Sequence, residues 1–120
     1  MDFKTIKYHL KVNKEENLLL QFLMHISKNI YNSALYTLRK DFFNNGKIET
    51  YFNYNKKIWN NENVHILNTY QSICTIRSCY YAMETFIKRK KHIPHYLSKE
   101  GYYPLITCKF SNYFMLALAN

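Results

Sequence analysis

Apolar or aromatic side chains recur at Tyr70, Ile73, Ile76, Tyr80, Met83 and Ile87, in steps of three and four, and then give way to the run Lys88, Arg89, Lys90, Lys91 and to Pro94. No other stretch narrows the choice of fold as far. The spacing predicts an α-helix that buries these six residues as one stripe, with Gln71, Thr75, Ser78, Ala82, Thr85 and Arg89 on a small, polar opposite face. A face that narrow would let a bulky partner lie close along the helix. Pro94 forbids further helix and biases Ile93 towards extended backbone, so the four cations stand at the helix exit, where they also suit the macrodipole. Glu84 is placed to pair with Lys88 at i,i+4.

Towards the N-terminus, Ile6, Tyr8, Leu10 and Val12 alternate with Thr5, Lys7, His9 and Lys11, the pattern of a strand with one basic face. Asn13 follows as an N-cap with Glu16 completing a capping box and Glu15 adding charge at the helix start. Leu19, Leu23, Ile26, Ile30, Ala34 and Leu38 then keep helical spacing until Asn44, Asn45 and Gly46, where glycine can take the left-handed cap. At 1.5 Å per residue this helix is about 45 Å long, and it reads as a limb projecting from a sheet with a second helix folded back along it. Residues 50–61 read as a short helix carrying Tyr51, Tyr54 and Ile58, and 60–63 as a polar connection. YYPLITCKF, from Tyr102 to Phe110, reads as a strand with Pro104 near its start. The expected fold class is therefore α+β, mainly α. A long helical insertion, residues 13–100, separates two terminal β-strands, 1–12 and 101–110, and residues 111–120 form a tail. Pairing of the terminal strands would bring Lys7 and Lys11 beside the basic elbow.

A chain of 120 residues fits one domain, which buries roughly two thirds of the surface its unfolded form exposes. Its formal charge of +9 favours a polyanionic partner, nucleic acid being the commonest soluble one. The same excess of Asn, Lys, Ile and Tyr is also what AT-rich coding yields without selection for binding, so charge alone does not decide. With no apolar leader segment and no run of 18 apolar residues, the expectation is a soluble, cytoplasmic monomer without a membrane partner. Three cysteines, an odd number without a secretion signal, read as reduced packing residues.

Catalytic chemistry finds little support in the residues. Cys74 and Cys79 lie five apart on a helix, about 140° around its axis, and cannot share one tetrahedral ion with His92 and His95. The eight carboxylates are scattered over caps and exposed faces, no Gly-rich phosphate loop occurs, and no Ser or Cys sits in a nucleophile motif. The expectation is no catalytic site, no metal, no cofactor and no small-molecule substrate. Binding is better served, because tyrosines interleave with lysines at Tyr51, Tyr54, Lys56 and Lys57 and again at Tyr96, Lys99 and Tyr102, offering stacking faces beside phosphate contacts.

Several local motifs, in this order, resemble the N-terminal part of the TnpB family, transposon-encoded RNA-guided DNA endonucleases of insertion sequences. They are Val12 to Glu16 after the first strand, Ile30, Tyr31 and Asn32, then Gly46, Lys47 and Tyr51. The most specific is the helix with Gln71 and Phe86 that ends in Lys88 to Lys91, followed by Pro94, Tyr96 and GYYPLIT from Gly101 to Thr107. The resemblance implies a partial wedge β-barrel from the terminal strands, recognition-lobe helices between them, and guide RNA and target DNA as partners. It also implies that Tyr51, Gln71 and Thr107 contact the motif flanking the target. Gln71 suits that role chemically, since its amide pairs bidentately with adenine. Lys7, Lys11, Lys88, Arg89, Lys90 and Lys91 are expected on phosphates. Family nucleases carry their acidic metal ligands in a later RuvC-like domain, so the expectation is a truncated, catalytically inactive, nucleic-acid-binding fragment. The alternative from the residues is a free-standing helical module whose apolar stripe docks a protein and whose charge is compositional.

Overall fold

The computed structural model of the chain describes residues 11–67, 69–109 and 112–116, the segments 106–109 and 112–116 by their backbone. Four helices and one hairpin follow in order: α1 (Lys14–Asn45), α2 (Tyr51–Ile58), α3 (Glu62–Ile66), α4 (Thr69–Arg89), β1 (Leu105–Lys109) and β2 (Asn112–Leu116).

Helix α1 has the ends its sequence specifies. The Asn13 side chain accepts from the Glu16 N–H at 2.8 Å, and Glu16 accepts in return from the Asn13 N–H at 3.3 Å, which satisfies two backbone donors the helix start leaves open. At the other end Gly46 adopts φ 75° and donates to the Phe42 carbonyl at 2.7 Å, a left-handed cap that a residue with a Cβ takes only at a cost. α2 and α3 then run back along α1. Tyr54 donates to Asp41, Asn61 to Ser33, and Asn29 to Asn63, so advancing residues meet successively earlier turns. α3 replaces the polar connection expected at 60–63. Asn61 caps it by accepting from the Asn63 N–H at 2.8 Å.

α4 next runs parallel to α1, meeting it at Ser27–Thr75 near one end and at Phe42–Phe86 near the other. Their shared face is the largest between any two helices. The core comprises Met24, Ile30, Ala34, Leu35 and Leu38 of α1 with Ile76, Cys79 and Met83 of α4, sealed by Tyr54, Ile58, Val64 and Leu67. α1 is thus the spine of the molecule and not a limb projecting from a sheet.

The buried face of α4 differs from the expected stripe. Ile76 and Met83 are buried, but Tyr70 is 57% exposed, and Ser72, Thr75 and Cys79 lie in the interior, Thr75 with 0% exposure. The face is turned towards the small residues because they let α1 approach closely, and the polar ones still find partners. The Thr75 hydroxyl meets that of Ser27 at 3.1 Å and donates to the Gln71 carbonyl at 2.8 Å, and Ser72 donates to the Val64 carbonyl at 3.3 Å. Ser78 hydrogen-bonds Tyr103. The bulky partner of the small face is therefore the protein itself.

The expected α+β architecture is overturned. The chain is a predominantly helical domain with no barrel among the described residues. The strand expected over 101–110 is the shorter β1, and it pairs antiparallel with β2 in the register Leu105↔Leu116 to Lys109↔Asn112, using the segment expected to be a tail. The expected strand of residues 1–12 lies outside the described residues up to position 10, and residues 11 and 12 are exposed and not in a strand. The reduced state expected of the cysteines holds for Cys79, buried and free, while Cys74, on the flank of α4 shared with Ser78, is disulfide-bonded. Among the described residues no helix is long and apolar enough to cross a membrane.

Candidate nucleic-acid interface

What leaves α4 is held by α1. At Lys90 the backbone turns left-handed, φ 51°, the one such non-glycine residue among those described, and ends the helix in the middle of the basic run. Residues 90–104 then form a strap that runs back along α1. It lacks a neighbouring strand, so its backbone groups need side-chain partners, and a comb of polar residues on α1 supplies them. Arg39 donates to the Pro94 carbonyl at 3.3 Å. Asn32 donates to the Leu97 carbonyl at 3.0 Å and accepts from the Leu97 N–H at 2.9 Å. Lys28, itself buried, donates to the Lys99 carbonyl at 2.9 Å, and the His25 Nδ1–H donates to the Gly101 carbonyl at 3.3 Å. The lengths agree. From Asn32 to Arg39 the helix rises about 10 Å, and three extended residues from Leu97 back to Pro94 cover about 9 Å. Tyr103 closes the strap by stacking on Tyr31, ring centres 4.6 Å apart, and by donating from its N–H to the Met24 carbonyl at 3.1 Å.

The strap sets a cationic end to the domain. Lys88, Arg89, Lys90 and Lys91 are all exposed there; the strap that follows them brings Pro94 and Tyr96 against Arg39 of α1, and Lys40 is exposed one position further on. The carboxylates nearby are already engaged: Lys88 meets Glu84 at 3.5 Å, and Lys57 bridges Asp41 at 3.2 Å and Glu49 at 2.6 Å. Among the described residues Arg89, Lys90 and Lys91 have no carboxylate partner. Two aromatic rings flank Arg39, whose guanidinium carbon lies 5.1 Å from the centre of Tyr96 and 5.7 Å from that of Phe43. These are cation–π distances that hold the side chain in place.

The expected site residues do not form one surface. Lys11 precedes α1, so about 38 Å of helix separates the start of α1 from Arg39 and the elbow, which corrects its placement beside the basic run. Lys7 lies outside the described residues. Gln71, half-buried near the start of α4, stands about 26 Å along that helix from Lys88. Tyr51 opens α2, donates to the Ile73 carbonyl at 3.3 Å, and has Arg77 4.9 Å from its ring centre. That contact puts Tyr51 on the side of α4 facing away from Gln71, at 100° per residue. Thr107 lies in β1, opposite Phe114 of β2. Tyr51 and Gln71, two of the three flanking-motif readers carried over by resemblance, thus stand on different sides of α4.

Tyr54 is unavailable for stacking. It is fully buried, donates to Asp41 at 2.8 Å and accepts from the Glu49 N–H at 2.9 Å, and burial pushes its phenol well above the ordinary value. Sequence reasoning missed Arg39, Lys40 and the comb. The signal was present as polar residues at 25, 28, 32 and 39, all at helical intervals on α1. Among the described residues no three His, Cys, Asp or Glu side chains gather as a metal site. Comparison of the chain with protein-family models, with curated proteins and with solved structures finds no match.

Proposed function

We propose that this chain binds nucleic acid by its phosphates, using the cationic end formed by Lys88, Arg89, Lys90, Lys91, Arg39 and Lys40, and that it does so without cleaving it. The observation that carries the reading is the turn at Lys90. A non-glycine residue in the left-handed region is strained by roughly 1 kcal/mol, and strain of this kind concentrates at functional positions. Here it ends α4 after Arg89, so the basic run continues off the helix, at the end where Asp41 and Glu49 are paired with Lys57 and Glu84 with Lys88, which leaves Arg89, Lys90 and Lys91 without a carboxylate among the described residues. The motif order shared with the TnpB family supports guide RNA or target DNA as the polyanion and an insertion-sequence origin. The reading assigns no catalysis; Asp41 and Glu49, which the fold brings together, are bridged by the Lys57 ammonium.

Salt dependence tests the proposal. With four or five phosphates neutralised, log K against log salt falls with a slope of about −3 to −4.5. Replacing Arg89, Lys90 and Lys91 by Gln removes about two to three of those slope units. No retention of RNA or DNA at low salt, or a slope unmoved by the triple replacement, rejects it. A second reading, a protein-interaction module, is favoured by one observation: Leu18, Leu19 and Phe22 stand exposed on the first turns of α1. The alternative built on the α4 stripe loses its footing, because Ile76 and Met83 are spent on the domain's own core.

A further inference from the structure

The outer face of α1 carries Tyr36, Arg39, Lys40 and Phe43 at i, i+3, i+4 and i+7, a stripe within about 100° of arc. Tyr36 is 59% exposed and Phe43 62%, although the opposite side of the same turns is sunk in the core through Leu35 and Leu38. Tyr96, half exposed, adds a third ring from the strap, and Arg39 lies between Tyr96 and Phe43, fixed by its hydrogen bond to Pro94. Beside Tyr36 opens a groove of about 510 Å³ whose walls include Ser33, Thr37 and Asn61, all hydrogen-bonding side chains. Large rings left about half or more in water next to cations, Phe43 touched only at its edge by Phe42 among the described residues, call for a partner that is both anionic and flat.

We infer that this stripe selects single-stranded nucleic acid, stacking unpaired bases on Tyr36, Phe43 and Tyr96 while the phosphates lie against Lys40 and the basic run. This rests on the phosphate-binding reading above and gives it a substrate class. A duplex keeps its bases stacked inside and presents a phosphate surface, on which these rings would gain nothing. An unpaired strand offers a π-face at every base, and each stacking contact carries about 1–3 kcal/mol, at least about five-fold in affinity. Tyr36 and Phe43 are separated by seven residues, about 10 Å along the helix. That is roughly three base steps at 3.4 Å, so the footprint is about four nucleotides. The groove beside Tyr36 gives a stacked base room, and although Ser33, Thr37 and Asn61 are already hydrogen-bonded within the protein, the Ser33 hydroxyl keeps its own proton to donate.

The test measures binding of the whole chain to a 12-nucleotide single strand, as RNA and as DNA, to a 12-base-pair blunt duplex, and to heparin. Both rings are exposed, so Tyr36→Ala and Phe43→Ala are expected to fold, which far-ultraviolet dichroism checks. Each is expected to weaken single-strand binding about five-fold or more, on RNA and DNA alike, and to leave duplex and heparin binding within two-fold. Tyr36→Phe should retain the affinity. If heparin and duplex bind but the alanine variants leave single-strand affinity unchanged, or lower all ligands equally, the stacking inference fails while phosphate binding stands. If the unaltered chain binds none of these ligands at low salt, both fail.

Discussion

Asn32 provides the sharpest test of how the strap is held. Its amide both donates to and accepts from the Leu97 backbone, at 3.0 and 2.9 Å, so Asn32→Ala deletes two hydrogen bonds and leaves a half-buried N–H and C=O without protein partners. Each bond is worth about 1 kcal/mol net, and an orphaned group costs about 1–3 kcal/mol when fully buried. Because Leu97 keeps partial access to water, the sum belongs at the low end, about 2–3 kcal/mol. For 120 residues at about 2.1 cal/mol/K each, the entropy at the midpoint is about 0.25 kcal/mol/K, so Tm falls by about 8–12 °C. Urea unfolding followed by far-ultraviolet dichroism measures the free energy, and amide exchange at Leu97 reports whether the strap has opened locally. Asn32→Asp is the informative control. As a carboxylate it can accept from the Leu97 N–H but only repel its carbonyl, whereas its protonated form restores a donor. Relative to the unaltered chain, this variant should therefore recover stability as pH falls through the carboxyl range. A loss below about 0.5 kcal/mol for Asn32→Ala, with Leu97 exchange unchanged, would refute the claim that α1 side chains hold the strap.

Lys90→Gly separates stability from binding: relief of the left-handed backbone should raise Tm by about 2–4 °C, while loss of one phosphate contact flattens the salt slope by about 0.7–0.9. A fall in Tm would show that the Lys90 side chain makes a stabilising contact that outweighs the strain. Alkaline pH should destabilise the fold. Burial, the largest cause in each case, raises the phenols of Tyr31, Tyr54 and Tyr103 and the thiol of Cys79, so the folded state holds these protons longer than the unfolded state does. Their contribution is fully present below about pH 8.5, the ordinary thiol value, and is lost as pH rises through the range above the ordinary phenol value of about 10. Urea midpoints that fall between pH 8 and pH 11 would agree; constant midpoints would contradict the burial of these groups.

Features governed by neighbours a few residues away were legible in the sequence. The capping box at Asn13 and Glu16, the left-handed stop at Gly46, the Glu84–Lys88 pair and the exposed basic run before Pro94 all lie within one or two helical turns of the residues that specify them. What needed the tertiary structure was every choice among faces and ends. Periodicity placed Ile76 and Met83 inside, but it could not show that Thr75 would be buried and Tyr70 exposed, because that depends on Ser27, 48 residues earlier, offering a hydroxyl at close range. The strap is satisfied by residues 55–76 positions away, and no local pattern foretells which helix will supply its partners. β1 paired with residues 112–116, a short-range pairing that closes a smaller loop than any strand at the N-terminus would. The candidate site divides in the same way. The cations at 88–91 were readable as a run, whereas their company, Arg39 and Lys40 in place of Lys11, was decided by α1 and α4 running parallel and bringing their C-terminal ends together.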